Sequence, residues 1–366
     1  MQKRIRVLVV DDSAIARKVI TESLADFPEI EVVGTAIDPY NARDRILDLK
    51  PDVLTLDIEM PKMDGLTFLR LIMQHRPMPV IIMSSLTTAG SSKAMEALEA
   101  GAVDVMDKPS GSFSAYEDGS RLAQKIKAAA CARTRRAALD VAGRTNRPVG
   151  TTPAAVKSHG QGRSYHPRSL ILIGSSTGGP EALNQLLPTF AGDLPGICIV
   201  QHIPAYFSKA LAERLNHKCQ LEVREAVKGD IVTPGCALIA PGGYHMILRW
   251  TGAHYLVELG VGPQLHHQRP AVDVLFDSVV KAGGSDHSTS VILTGMGSDG
   301  AAGLLRLRQA GSYTIAQDEE SSVVFGMPRE AIRLGAVDHV LPLDRMGAEI
   351  EKSVARLVRV GVRAVA

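Results

Sequence analysis

The chain has 366 residues, 45% of them hydrophobic and 22% charged, which exceeds the size at which a single core keeps growing and implies two domains. Its 41 basic and 39 acidic side chains leave a formal charge of +2, so no chain-wide field draws it to nucleic acid or to an anionic membrane. No apolar run approaches the roughly 18–20 residues of a membrane span. The start Met1-Gln2-Lys3-Arg4-Ile5-Arg6 meets Asp11 and Asp12 after a brief apolar stretch, unlike a signal peptide, so a cytoplasmic location without membrane insertion is expected. Cys131, Cys198, Cys219 and Cys236 show no CxxC and no Cys/His ligand spacing, which speaks against zinc and against a disulfide framework.

In residues 1–130, short β-branched runs at 6–10, 31–35, 53–57, 80–83 and 103–106 alternate with helical patterns, the signature of a parallel sheet with helices on both faces. Asp11 and Asp12 follow the first run and Asp57 ends the third. In a doubly wound sheet that puts them at the carboxyl edge, where such sheets hold their ligands. Alone, each would read as a helix cap or turn former. Together they repel one another unless a cation neutralises them, and hard oxygen ligands with open positions suit Mg2+. Ser84 follows the fourth run with a hydroxyl, and Lys108, ahead of Pro109, adds a fixed positive charge after the fifth.

Residues 131–167 are expected to be a linker. From about residue 134 the pattern dissolves into Arg, Thr, Gly, Pro, Ser and His, with no sustained apolar period of a strand or a helix. Arg133, Arg135 and Arg136 read as a solvated helix end or as part of that linker.

The alternation resumes over 168–366, with strands expected at 170–174, 197–200, 221–225, 291–294 and 314–316. Three further runs, at 237–240, 246–250 and 255–259, are joined by turns such as Pro241-Gly242-Gly243 and read as an antiparallel excursion. Trp250 and Tyr255 read as packing within it.

Three segments of this second domain carry chemistry. Ile171-Leu172-Ile173-Gly174-Ser175-Ser176-Thr177-Gly178-Gly179-Pro180 runs an apolar strand into a tight turn and then a helix, exposing a serine beside helix-terminal amides. The turn by itself fits a phosphate cradle or a sharp connection equally well, although it lacks a spaced GxGxxG and a Walker lysine. His202 follows the next strand in Ile199-Val200-Gln201-His202-Ile203-Pro204, and Asp299 follows a later one in Leu293-Thr294-Gly295-Met296-Gly297-Ser298-Asp299-Gly300. Singly, the histidine reads as structural and Asp299 as an N-cap. Together the three supply the hydroxyl, imidazole and carboxylate of acyl transfer, in an order that differs from the Ser, Asp, His order of α/β-hydrolases. His266 and His267 lie in a polar loop with no carboxylate at ligand spacing and read as structural or surface residues, and Asp273 reads as a capping or packing residue.

Asp11-Asp12, Asp57 with Met60-Pro61-Lys62-Met63-Asp64-Gly65, Ser84 and Lys108-Pro109 together resemble the receiver domain of two-component response regulators. The segments around Ser176, His202 and Asp299, with His267-Gln268-Arg269-Pro270-Ala271-Val272-Asp273-Val274-Leu275-Phe276, resemble the chemotaxis methylesterase family, whose members join a receiver to this catalytic domain. The resemblance implies two doubly wound parallel-sheet α/β domains, a (βα)5 receiver and then a Rossmann-like hydrolase domain with the hairpin inserted.

In the receiver the resemblance implies Asp57 as phosphoryl acceptor, Asp11, Asp12 and Asp57 as the Mg2+ site, and Ser84 and Lys108 as phosphate contacts. Val105 stands where many receivers carry a switching aromatic, so a switch relying on that ring is not expected. In the hydrolase it implies Ser176 as nucleophile, His202 as base and then acid, Asp299 as its orienting partner, and the Met296 N–H as oxyanion donor. Ser175 stands where members usually have alanine.

The implied reaction is hydrolysis of γ-glutamyl methyl esters on the cytoplasmic helices of methyl-accepting chemoreceptors, giving glutamate and methanol without a cofactor. Some members also deamidate receptor glutamines. The implied phosphodonor is a chemotaxis histidine kinase, and the implied control is a receiver that restricts substrate access until Asp57 is phosphorylated. The competing reading is a signalling adaptor whose second domain binds a nucleotide or a protein through the Gly-rich turn. A receiver-linked transcription factor is disfavoured, because the second half shows no short helix-turn-helix with a basic recognition helix.

Overall fold

A computed structural model describes residues 3–84, 87–108, 115–132 and 165–363, and the chain divides into two compact units, Met1–Asn146 and Arg147–Ala366. Arg133, Arg135, Arg136 and most of the expected linker lie outside the described residues.

The first unit alternates strictly: β1 (Ile5–Val10), α1 (Ala14–Leu24), β2 (Ile30–Ala36), α2 (Pro39–Leu49), β3 (Val53–Asp57), α3 (Gly65–His75), β4 (Val80–Ser84), α4 (Thr88–Glu99), β5 (Asp104–Asp107) and α5 (Ala115–Cys131). The strands form one sheet in the order β2-β1-β3-β4-β5, with every pair parallel. Every residue of β3 and β4 is buried, as a sheet covered on both faces requires. Ser13, Asp38, Asp64 and Thr87 each accept an otherwise orphaned amide at a helix start, which is why α1 to α4 begin where they do.

Chain order reverses between β1 and β3, the switch point at which such sheets bind ligands. Val10 pairs with Leu56 there, so Asp11 and Asp57 emerge side by side. Gly65 closes the turn beneath them. Its N–H donates to the Ile58 carbonyl at 2.9 Å, and a Cβ at that position would lie 2.0 Å from the Asp57 carbonyl oxygen.

The second unit contains β6 (Leu170–Ser175), α6 (Gly179–Leu186), β7 (Gly196–Gln201), α7 (Phe207–Lys218), β8 (Glu222–Glu225), β9 (Cys236–Ile239), β10 (His245–Trp250) and β11 (Tyr255–Gly260). It continues with α8 (Val272–Lys281), β12 (Ser288–Ile292), α9 (Ala301–Gln309), β13 (Tyr313–Gln317), α10 (Met327–Arg333), β14 (His339–Leu341) and α11 (Leu343–Arg363). Its main sheet runs β14-β13-β12-β6-β7-β9-β8, parallel throughout. β10 and β11 form a separate antiparallel ribbon, on which Trp250 and Tyr255 pack edge to face at 5.0 Å.

Three features depart from the sequence reading. The run at 237–240 is not part of the antiparallel excursion: it is β9, parallel between β7 and β8. A four-residue strand buried throughout has no period that distinguishes the two placements. β12 starts at Ser288, before the expected apolar run, because the hydroxyls of Ser288, Thr289 and Ser290 are satisfied by Ser285, Ser312 and Ser353; hydrogen-bonded hydroxyls are tolerated in a core. β14 was not expected, being a short and largely exposed edge strand. Among the described residues no helix is long and apolar enough to cross a membrane.

Candidate active site

At the carboxyl edge of the first sheet Asp11 and Asp57 are buried and Asp12 is exposed, and the three carboxylates bring oxygens within 4.8 Å of one another. Lys108 Nζ stands 3.0 Å from Asp11 Oδ2 and 2.8 Å from Asp57 Oδ2. Neither of those oxygens accepts a well-directed hydrogen bond among the described residues, so one ammonium serves two buried carboxylates. Burial pushes the Asp57 carboxyl above its ordinary range and the Asp11 charge adds to this, against the pull of Lys108 and the Glu59 N–H. On Lys108, burial acts downward, but the ion pairs with Asp57 and Asp11 outweigh it and raise the ammonium. Three hard oxygen donors with this charge deficit fit Mg2+. Ser84 ends β4, and its carbonyl accepts the Lys108 N–H at 3.0 Å, which brings those two strand ends together. Val105 is buried in β5.

The second sheet reverses between β6 and β12, and Ser176 follows β6 at that point. Its N–H donates to the Thr294 carbonyl at 3.0 Å. Gly295 presses so close that a Cβ there would lie 2.7 Å from Ser176 Cβ. His202 follows β7, where Gln201 pairs in register with Ser175. His202 Nε2 is 2.7 Å from Asp299 Oδ2, and both side chains are buried. With Nε2 engaged, Nδ1 is the ring nitrogen left for a serine proton. No hydrogen bond joins Ser176 Oγ to the ring among the described residues; such contacts are commonly loose until substrate is bound. The Met296 N–H makes no backbone hydrogen bond among them either, which suits an oxyanion donor.

The adjacent serine is otherwise engaged. Ser175 Oγ donates to Gln201 Oε1 at 2.6 Å, while Gln201 Nε2 donates to the carbonyls of Ser176 at 2.8 Å and His202 at 3.1 Å. Gln201 therefore ties the serine turn to the histidine turn. The sequence reading missed it, although a polar residue at the end of a buried strand was the available signal. Burial pushes up the thiols of Cys198 and Cys236, so neither is an activated nucleophile.

Asp299 does not cap the helix that follows it, whose N-cap is Gly300 with φ 83°. It caps α8, whose own N-cap Ala271 offers no side-chain acceptor: Val272 N–H donates to Oδ2 at 2.7 Å and Asp273 N–H to Oδ1 at 3.0 Å. In return, Asp273 Oδ1 accepts the Gly303 N–H of α9 at 2.6 Å. Burial would raise the Asp299 carboxyl, but the His202 bond and the two amides outweigh it and hold the group below the ordinary range. On Asp273, burial and the Asp299 charge outweigh the Gly303 and Gly300 amides and the His266 bond, and the carboxyl is pushed up. His266 has the carboxylate partner that its spacing did not suggest, Asp273 Oδ2 at 3.1 Å from Nε2, because α8 returns Asp273 toward the loop.

The CheB methylesterase family model matches residues 171–350, and the response regulator receiver domain model matches residues 7–114. A protein-glutamate methylesterase/protein-glutamine glutaminase of Syntrophus aciditrophicus is 52% identical over 351 residues, spanning 96% of this chain and 99% of the relative. A protein of the same description from Bdellovibrio bacteriovorus is 48% identical over 356 residues, spanning 96% and 98%. The crystal structure of the Thermotoga maritima CheB methylesterase catalytic domain is 38% identical, with 51% of this chain and 98% of that one covered and a TM-score of 0.49.

Proposed function

This chain belongs to the CheB methylesterase family, with a receiver ahead of the catalytic domain, and hydrolyses protein glutamate methyl esters under control of that receiver; we propose that the reaction runs through Ser176, His202 and Asp299. The observation that carries this reading is the buried His202–Asp299 pair at 2.7 Å, one strand end away from an uncommitted Ser176 hydroxyl at the switch point of the sheet.

In this route His202 Nδ1 takes the Ser176 proton as Oγ attacks the ester carbonyl, and the Met296 N–H receives the developing oxyanion. Asp299 stays ionised, holds the ring and stabilises the imidazolium. His202 then returns the proton to the departing methoxide, which leaves as methanol. Water, deprotonated by the same imidazole, attacks the glutamyl-Ser176 ester, and the imidazolium returns that proton to Ser176 Oγ as the acyl–oxygen bond breaks and the glutamate is freed. A glutamine follows the same path with ammonia as leaving group, in keeping with the glutaminase half of the relatives' description. The proposed substrates are the cytoplasmic helices of methyl-accepting chemoreceptors, the proposed location is the cytoplasm, and every proton of the ester route moves on the chain's own groups.

In the receiver, residues 1–130, Asp57 is the proposed acceptor of a phosphoryl group from a chemotaxis histidine kinase. Asp11, Asp12 and Asp57 would hold Mg2+, which supplies neutralisation of the phosphoryl oxygens. Lys108 pairs with the phosphate and the Ser84 hydroxyl contacts it. Residues 131–167 serve as the linker and 168–366 as the catalytic domain. The test is methanol release from methylated receptor, with and without a small-molecule phosphodonor. Ser176→Ala is expected to lose on the order of 10^3-fold or more in kcat with its circular dichroism unchanged, and Asp57→Asn to lose stimulation by the phosphodonor. Undiminished hydrolysis by Ser176→Ala overturns the triad.

A further inference from the structure

The rim around His202 holds a backbone strain that the packing of the domain does not explain. After β7 the chain turns at Pro204-Ala205-Tyr206-Phe207, where Phe207 N–H donates to the Pro204 carbonyl at 3.3 Å. Tyr206 takes the third position with φ 72° and ψ −34°, which turns of this kind reserve for glycine or asparagine because a Cβ crowds the backbone there. The residue is 60% exposed, so burial within the described residues does not offset the strain. A neighbouring turn shows the relaxed alternative. Pro241-Gly242-Gly243-Tyr244 is closed by Tyr244 N–H to the Pro241 carbonyl at 3.2 Å, and its third position is Gly243 with φ 87°. The two turns abut, since a Cβ on Gly242 would lie 2.4 Å from the Ala205 nitrogen.

Further exposed apolar groups lie on the second turn and on a loop tied to it. Tyr244 is 45% exposed, and Val261 and Leu265, on the loop after β11, are 70% and 41% exposed. Arg269 donates to the carbonyls of Val261 and Gly262, and its own carbonyl accepts the Gly243 N–H at 3.0 Å, which joins that loop to the second turn. A strained conformation that the surrounding fold does not reward points to function.

We propose that Tyr206 is a specificity-determining residue. With Tyr244, Val261 and Leu265 it forms an apolar shelf on which the receptor helix bearing the scissile glutamyl ester lies. This rests on the esterase reading above, because a side-chain ester reaches Ser176 only when the polypeptide bearing it covers the rim, and Tyr206 is four residues from His202. An amphipathic helix supplies apolar positions a turn to either side of the ester, and a tyrosine ring offers it a large contact at low entropic cost.

The test uses the full chain carrying Tyr206→Gly, Tyr206→Ala or Tyr206→Phe, assayed on methylated receptor and on a short peptide with a γ-glutamyl methyl ester, with thermal midpoints recorded. Tyr206→Gly and Tyr206→Ala are expected to lose about tenfold more kcat/KM on the receptor than on the peptide, mostly through KM. Tyr206→Phe, which keeps the ring, is expected to retain receptor kcat/KM within about threefold. Tyr206→Gly is expected to melt above Tyr206→Ala, as the positive φ requires. Receptor kinetics unchanged in Gly and Ala, or equal losses on both substrates, overturn the shelf. Absence of Ser176-dependent peptide hydrolysis in the otherwise unaltered chain would instead remove the esterase reading, and the shelf with it.

Discussion

Asp57 and Asp299 are both buried at the carboxyl edge of a parallel sheet, beside the point where chain order reverses, yet the first carboxyl is pushed up and the second is held down. The difference lies in their donors. Asp299 receives two amides from the start of α8 as well as the His202 ring, all supplied by the fold itself. Asp57 receives the Glu59 N–H at 3.1 Å and shares the Lys108 ammonium with Asp11, so its neutralisation is incomplete. A charge held by fixed dipoles is preorganised for catalysis. One left short of donors responds to whatever cation or phosphoryl group arrives, as a switch must. On the proposed assignments, the same architecture would serve a preorganised catalytic carboxylate in one unit and a phosphoryl-accepting one in the other.

The sharpest way to break this contrast is Asp299→Asn, which keeps the shape and removes the charge. It is expected to cut kcat for methanol release by ~10^3 to 10^4, and a loss under about tenfold would mean that the pair is structural. The same variant reports on stability. Because the folded carboxyl titrates below its ordinary 3.8, its contribution is present above that value and fades as pH falls through the folded one. The gap in thermal midpoint between parent and variant should therefore be widest at neutral pH and close in acid. A gap that widened as pH fell would contradict the assignment of Asp299 as the depressed group.

A smaller effect is expected from the ion-seeking site. Mg2+ at ten times its dissociation constant should stabilise the first unit by about 1.4 kcal/mol, and Asp11→Asn with Asp57→Asn should abolish the gain. An undiminished gain in that double variant would place the cation elsewhere. The smallest effect is expected from Ser175→Ala, which removes one bond to Gln201. It should cost about 1 kcal/mol and leave kcat within about threefold. Loss of activity comparable to Ser176→Ala would transfer the nucleophile to Ser175.

Asp11, Asp12, Asp57, Ser84, Lys108, Ser176, His202 and Asp299 stood out in the amino-acid sequence because each ends or follows an apolar run, but singly they read as caps or structural residues, and it was the resemblance to two families that implied their roles. A parallel sheet carries all such strand ends to one edge, so alternation along the chain indicated the α/β class and the edge on which those residues stand. Which strands are neighbours was decided only in three dimensions. The placement of β9, the polar start of β12, the Gln201 tie and the caps on Asp299 all join residues far apart in the chain, as His202 and Asp299 are at a separation of 97. Periodicity records which face of an element is buried and holds no record of what lies against it. The charge state of each carboxyl follows from those neighbours, and so it was set by the tertiary structure.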